Sequence, residues 1–558
     1  MGNTRPMKAF TPIAIGNLTL KNRIVMAPMV SNLGSPEGWV TDQHIRYMAE
    51  RAKGGTALLI TEYTYVDKLN SRGSPNELGA YSYELAPKLS RLTEKVKENG
   101  ARIFMQLVHS GGKAYDAINP QSNIAPSSIN YRGTTPREMS AEDINRVKNS
   151  FLEAAMLAER CGFDGVEIHG AHGYLIHEFI SPALNLRTDA YGGSLENRVR
   201  FANEIVANIR RETDLAVGIR LSLMEFEQDG YGPDYGFSAA QQVRKVDYVH
   251  FSAGRNAPPG SSGSFYIPHI PIVAKIPGRL GVPIMAVGSI ANENDIETAL
   301  QKVDLVSIAR GLLADPYLPL KMQKGSGMPR PCIRCNQACR RLGFGEVRCT
   351  VNPDTGYEGL YPRIPPVYHG DLAVIGGGIK GMEASLFAAK LGFSVALYEK
   401  EEVLGGQLNA ISEPAQRSEF SQLIRYYEDS LRKAKVVITL SQEHKGKGLL
   451  CLPDLVYPKL PDRDSISVDT NVYQYLDSIL PLSATRKITL SERSLRSLDS
   501  GRAFEYRKAA EMRGIRIVDQ EEYDFILFDR NQYDIRSAMV SGRNAVLSFI
   551  SENGNEYL

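Results

Sequence analysis

The chain has 558 residues, 43% hydrophobic and 23% charged, the balance of a globular protein with room for several domains. Lys and Arg number 65 against 63 for Asp and Glu, a net charge of +2, so there is no electrostatic case for nucleic acid or an anionic membrane as partner. No apolar run reaches the ~20 residues that span a bilayer, and the opening MGNTRPMKAF has no apolar secretory core, so the cytoplasm is the expected compartment.

From about residue 20 to 315, β-branched runs alternate with helical patterns. The predicted strands are 24–29, 57–66, 102–109, 165–170, 216–222, 248–254, 282–290 and 305–313. Eight strands with helices between them predict an α/β fold, a closed TIM (β/α)8 barrel. The best-defined helix is 140–160, where Ser140 and Asp143 offer a capping box. The helix between strands five and six must come from 236–246 and is short, two or three turns. Residues 325–368 are rich in Gly, Pro, Arg and Cys and carry little periodicity. At 371 a strand, a glycine turn, a helix and a second strand follow one another. Beyond about 411 the pattern weakens: KITLSE and IRIVDQ look like strands, and 535–550 reads as a helix interrupted by one Gly. The expected domains are a barrel over 1–325, a connector over 326–368 and a Rossmann-like unit over 369–558.

Six cysteines are present, and Cys332, Cys335, Cys339 and Cys349 have the spacing C-x2-C-x3-C-x9-C. In a large chain with no export signal, such crowding reads as metal chemistry rather than disulfides. Thiolates at this spacing suit an iron–sulfur cluster or, alternatively, a zinc knuckle. Cys335 and Cys339 are four apart, so one helical turn could present both. Gly376, Gly378 and Gly381 form G-x-G-x-x-G between strand and helix, and Glu399 ends the next strand, where it could hold a ribose hydroxyl. Beyond 411 the only glycines are Gly446, Gly448, Gly501, Gly514, Gly542 and Gly554, and none builds a second such turn.

The string EIHGAHGYLIHEFISPALNLRTDAYGGSLENRVRF (167–201) closely resembles the Old Yellow Enzyme family of FMN ene-reductases. With the cysteines and the later glycine turn, the whole chain looks like the large NADH:flavin oxidoreductase subgroup, which includes enoate reductases, 2,4-dienoyl-CoA reductase and trimethylamine dehydrogenase. The resemblance implies an FMN-bearing barrel, a [4Fe–4S] cluster on the four cysteines and an FAD domain, with NAD(P)H as reductant. It also implies roles. His169 and His172 match the pair that donates to a substrate carbonyl oxygen, and Tyr174 matches the proton donor. Ala27, Pro28, Ala57, Gln106 and Arg220 match contacts to the flavin ring, and Gly288, Arg310 and Gly311 match its phosphate site. Gly406 and Gln407 resemble the FAD-binding extension. The carboxyl-terminal part departs from the subgroup and reads as a shortened or degenerate nicotinamide unit.

Three functions stay open at this level. The first is an ene-reductase, or reverse desaturase, acting on a small molecule with an activated C=C bond. The second is a C–N-oxidising dehydrogenase like trimethylamine dehydrogenase, although Trp39 is the single Trp available for an aromatic cage. The third is a non-catalytic flavin electron-transfer subunit. An electron-transfer partner and a homo-oligomer are both compatible with the sequence.

Overall fold

A computed structural model describes residues 7–130, 134–255, 272–340, 345–359, 366–412, 418–452, 460–498, 503–528 (apart from 504, 505, 508, 509 and 521) and 534–553. Eight parallel strands form the first body: β1 (Ile24–Met26), β2 (Leu58–Tyr65), β3 (Arg102–Val108), β4 (Gly165–Gly170), β5 (Ala216–Ser222), β6 (Tyr248–Ser252), β7 (Ile284–Val287) and β8 (Leu305–Ile308). β8 pairs with β1 and β1 with β2, so the sheet closes on itself as the (β/α)8 barrel. A hairpin, Ile13–Ile15 with Leu18–Leu20, plugs the amino-terminal end of the barrel, where Ile15 and Leu20 pack on Val25, Leu58, Ile60, Phe104, Tyr248, Met285 and Leu305.

The outer helices include α1 (Asp42–Lys53), α2 (Ala86–Glu98), α3 (Ala141–Arg160), α4 (Leu195–Glu212), α5 (Pro233–Gln242) and α6 (Glu293–Leu300). α3 starts with the expected capping box: Ser140 Oγ accepts from Asp143 N while Asp143 accepts from Ser140 N. α5 has ten residues, about three turns, as its short apolar pattern required. The predicted strand 305–313 is corrected: the strand stops at Ile308, and a helix, Arg310–Ala314, starts two residues later. The sequence hides this because a short apolar run has no period of its own.

Beyond the barrel lie two four-stranded parallel sheets. The first contains β9 (Asp371–Ile375), β10 (Ser394–Tyr398), β11 (Val437–Thr439) and β12 (Leu449–Leu450), in spatial order β11-β10-β9-β12. The second contains β13 (Ser465–Thr470), β14 (Lys487–Leu490), β15 (Arg516–Ile517) and β16 (Phe525–Leu527), in order β15-β14-β13-β16. Helix α7 (Ile379–Leu391) follows β9, α8 (Ser418–Lys433) follows β10, and α9 (Tyr473–Leu482) follows β13.

Helix α10 (Ile535–Asn553) is continuous, so Gly542 does not interrupt it. A Cβ there would lie 2.3 Å from Lys380 O, so the glycine is what lets α10 cross α7 closely. A buried ionic knot joins this crossing to the connector. Glu383 of α7 accepts from Arg543 Nε at 2.7 Å and from Tyr427 OH at 2.8 Å. Arg330 of the connector stands 3.6 Å from Glu383 and donates to Val351 O at 2.6 Å. Among the described residues no helix is long and apolar enough to cross a membrane.

Candidate active site and cofactor cradles

The carboxyl ends of the barrel strands form the mouth. Register places His169 of β4 beside Arg220 of β5, and Arg220 beside His250 of β6, so three polar side chains share one level. One level below, Glu167 gathers a network. Gln106 Nε2 donates to it at 2.6 Å and Tyr248 OH at 2.9 Å, and His250 Nδ1 lies 2.9 Å from it. Burial pushes the Glu167 carboxyl up, but His250, Arg220 and Tyr248 outweigh it and hold the group below its ordinary range. A carboxylate there fixes the His250 proton on Nδ1 and leaves Nε2 as an acceptor.

His169, His172 and Tyr174 come together on the loop after β4. The His169 ring centroid lies 5.2 Å from that of His172 and 4.9 Å from that of Tyr174, both edge-on. His172 takes a left-handed backbone (φ 61°), with its N–H donating to Ser222 Oγ at 3.1 Å and its Nε2 2.7 Å from Ser252 Oγ. His169 Nδ1 accepts from Ala171 N at 3.2 Å, which leaves the proton on Nε2. Burial first, and then Arg220, depress both imidazoles well below their ordinary pKa, so both are neutral at neutral pH.

A residue absent from the sequence reading completes the cluster. Tyr63 of β2 has its ring 5.3 Å from Tyr174 and 6.4 Å from His169. It reaches the mouth because β2 carries an irregularity between Ile60 and Tyr63, where three steps on β2 match two on β3. Simple alternation from Leu58 and Ile60 would have turned Glu62 inward instead. The expectation for Ala57 is corrected: it sits in the plug cluster with Ile15 and Leu20, at the barrel end opposite the mouth. His177, also after β4, is fully buried against Glu225, with Nε2 2.7 Å from Oε1, a packing role.

The other flavin candidates lie on the same rim. Ala27 N donates to Ile308 O at 3.0 Å, and Pro28 O lies 3.5 Å from Arg220 Nη1. Gly288 follows β7 with φ 150°, a conformation open to glycine, and Ser289 follows at φ 54°. Arg310 Nη2 reaches Ser289 Oγ at 3.5 Å. Gly311 packs so closely that a Cβ would lie 2.9 Å from the Ile308 side chain. Arg334, also missed in the sequence, donates to Ser289 Oγ at 2.7 Å, to Ser289 O at 3.0 Å and to Asp295 at 2.8 Å. The barrel fits a polar heterocycle: Arg220 Nε, His250 Nε2 and Ser307 Oγ are buried without a hydrogen-bond partner.

Cys332, Cys335, Cys339 and Cys349 line one small cavity together with Arg310 and Asn336. The one helical turn expected from the spacing of Cys335 and Cys339 is corrected: they do not share one. Arg334 and Asn336 both have φ 51°, and only a 3-10 turn, Ala338–Arg340, follows. Arg310 donates to Asn336 Oδ1, so the barrel rim after β8 and the cysteine loop touch directly. Among the described residues no three His, Cys, Asp or Glu side chains form a single-ion site.

In the first sheet, Gly376 turns with φ 109°, and a Cβ on Gly381 would fall 1.8 Å from Gly376 O. Gly378 caps α7 with no side-chain cap and open space where its Cβ would be, a cradle suited to a phosphate at a helix amino terminus. Glu399 ends the adjacent strand and accepts from Gly377 N at 2.6 Å. Gly405 N donates to Gly377 O at 3.0 Å, which lays Gly406 (φ 51°) against Gly378, with Gln407 exposed beyond it.

The description of the NADH:flavin oxidoreductase / NADH oxidase family matches residues 8–328, and that of FAD dependent oxidoreductases matches 371–421. The chain is 36% identical over 467 residues to an NADH oxidase of Thermoanaerobacter brockii, covering 80% of this chain and 72% of the relative. It is 34% identical over 476 residues to a cinnamate reductase of Clostridium sporogenes, covering 77% and 70%. Its fold matches a 2-naphthoyl-CoA reductase solved with 2-naphthoyl-CoA, at 21% identity and a TM-score of 0.88, over 97% of this chain and 99% of that one. The barrel, the glycine cradle and these relatives together identify an oxidoreductase that uses FMN and FAD, and the chain belongs to the NADH:flavin oxidoreductase / NADH oxidase family, in its Old Yellow Enzyme-like subgroup.

Proposed function

We propose that this chain is an ene-reductase, or in reverse a desaturase, acting on the activated C=C bond of an α,β-unsaturated carbonyl compound. The observation that carries the reading is the meeting of His169, His172 and Tyr174 at the barrel mouth, with both imidazoles neutral. The cinnamate reductase relative acts, by its name, on a substrate of this kind.

Bound FMN supplies or accepts the hydride. Arg220 offers the fixed positive charge that favours a reduced, anionic ring, and Gln106, Ala27 and Pro28 flank that position. Gly288, Arg310 and Gly311 would hold the phosphate, with Arg334 as an additional cation. His169, through Nε2–H, and His172 hold the substrate oxygen. As hydride reaches the β-carbon, negative charge gathers on that oxygen, and donors already aimed at it stabilise the charge by ~3–4 kcal/mol each. Tyr174 gives its proton to the α-carbon.

Four cysteines lining one cavity suit a [4Fe–4S] cluster on Cys332, Cys335, Cys339 and Cys349. Gly376, Gly378, Gly381, Glu399, Gly406 and Gln407 would hold FAD. Bound there, the cluster and FAD would carry electrons to the barrel from NAD(P)H or another donor. The domains are read as barrel 1–325, cluster connector 326–368 and dinucleotide unit 369–558.

The test is anaerobic stopped-flow. Reduced holoenzyme is mixed with cinnamaldehyde, 2-cyclohexenone and an enoyl thioester, and in parallel the oxidised form is mixed with methylated amines. Flavin reoxidation by at least one unsaturated carbonyl is expected. Silence toward all of them, with flavin reduction by an amine, would replace this reading with C–N oxidation.

A further inference from the structure

We propose that Tyr63 is the partner phenol of the proton donor: it donates a hydrogen bond to the Tyr174 oxygen and steadies the phenolate left when Tyr174 gives its proton to the substrate. The inference rests on the ene-reductase reading and deepens it at the protonation step.

Geometry is the main support. The irregularity in β2 places Tyr63 across the mouth from the loop after β4, with its ring 5.3 Å from that of Tyr174. Tyr63 and Tyr174 are each half-buried rather than fully sealed.

Charge favours the same direction of donation. Tyr63 is held protonated by burial and then by the neighbouring Tyr174 and Glu77. Glu77, behind it, is fully buried, and its Oε2 accepts from Gly73 N at 2.7 Å and Ser74 N at 3.1 Å. Burial drives that carboxyl well up from its ordinary range, against the two backbone N–H groups that bind it. Tyr174 is faced instead by the Lys113 ammonium, 5.5 Å from its ring, and by neutral His169. Lys113 therefore favours negative charge on Tyr174 while burial and Glu77 keep the proton on Tyr63, so Tyr63 stays the donor of the pair.

The balance is simple. Hydride addition leaves an electron pair at the substrate α-carbon. The Tyr174 O–H bond breaks and a C–H bond forms. The Tyr174 oxygen, steadied by the Tyr63 O–H, is then reprotonated by water. No further oxidant or reductant is involved.

An aryl nitroalkene separates the two half-steps, because hydride addition to it yields a nitronate that persists until it is protonated and absorbs in the ultraviolet. Holoenzyme and its Tyr63→Phe and Tyr174→Phe variants are reduced anaerobically and mixed with the nitroalkene. In Tyr63→Phe we expect flavin reoxidation to slow by less than about threefold while enzyme-dependent nitronate decay slows on the order of tenfold to a hundredfold. Tyr174→Phe should show the same pattern more strongly. Tyr63→His, which keeps a donor, should recover part of the decay rate, and it guards against a Phe variant that loses its flavin. Nitronate decay at the wild-type rate in Tyr63→Phe, or a change in KM alone, would show Tyr63 to be only a wall of the pocket. If wild type oxidises its flavin with neither nitroalkene nor enone, the ene-reductase reading itself has failed, a result distinct from both.

Discussion

The two sheets beyond the barrel have the same strand order and opposite endings. In the first, β9 runs into Gly376–Gly381, and α7 presents uncapped N–H groups into open space. In the second, β13 carries Asp469 as its next-to-last residue, whose carboxylate is bound by Arg493 and accepts from Ser494 Oγ at 3.2 Å. Thr470 N is used by Ser494 Oγ at 2.7 Å, and Asp519, near the end of β15, accepts from Arg493 N at 3.2 Å. A pyrophosphate needs free N–H groups and glycine-close backbone. The second sheet instead holds carboxylates at that place, already neutralised by its own cations. Topology is maintained by the apolar faces of strands, whereas a binding site depends on a few backbone positions, so the site can be lost while the fold persists.

The largest expected effect is Gly381→Ala. Its Cβ would lie 1.8 Å from Gly376 O, so the turn must open and FAD retention should be lost, while FMN in the barrel remains. Extraction and chromatography of both flavins checks this, and full FAD occupancy in the variant would break the contrast between the sheets.

Next is Arg543→Met, which removes a buried partner of Glu383. With Arg330 still nearby, the loss should be about 3 kcal/mol, read by urea unfolding. A smaller, pH-dependent effect comes from the same knot. Burial would raise the Glu383 carboxyl, but Arg330 and Arg543 overcome this and lower it from 4.5 to about 2. A depressed carboxyl contributes stability above its unfolded pKa, so the contribution is complete above about 4.5 and is lost as pH falls toward 2. Glu383→Gln should flatten that part of the stability profile.

The smallest effect belongs to Asp469→Asn. Arg493 is 61% exposed, so the ion pair contributes under about 1 kcal/mol, and flavin content should not move. If the substitution instead cut NADH-dependent reduction tenfold or more, the second sheet would have to be read as a nicotinamide site.

Much of the barrel was legible because its strands are β-branched runs bounded by turns: Gly165–Gly170 and Ala216–Ser222 were bounded correctly from sequence alone. The His169, His172 and Tyr174 cluster was legible because it lies in one continuous segment. Tyr63 was not, since one extra residue in β2 inverts which side chains face inward, and alternation cannot reveal a bulge. Arg334 was hidden by lying between two cysteines, where a left-handed backbone aims it at Ser289. β13 was missed because Ser, Asp and Thr dilute its apolar faces. Gly542 was misjudged because a glycine that permits a helix crossing looks in sequence like one that breaks a helix.

The crossing of α7 by α10 also bears on biosynthesis. The helix that follows the glycine turn leaves the ribosome long before the segment that covers it, and the entire second sheet is made in between. Until Gly542 seats against Lys380 and Arg543 meets Glu383, α7 lacks its cover and that carboxylate lacks one of its cations. The final packing of α7 is therefore a late event in the life of the polypeptide, whereas the barrel can close as soon as β8 has emerged and paired with β1.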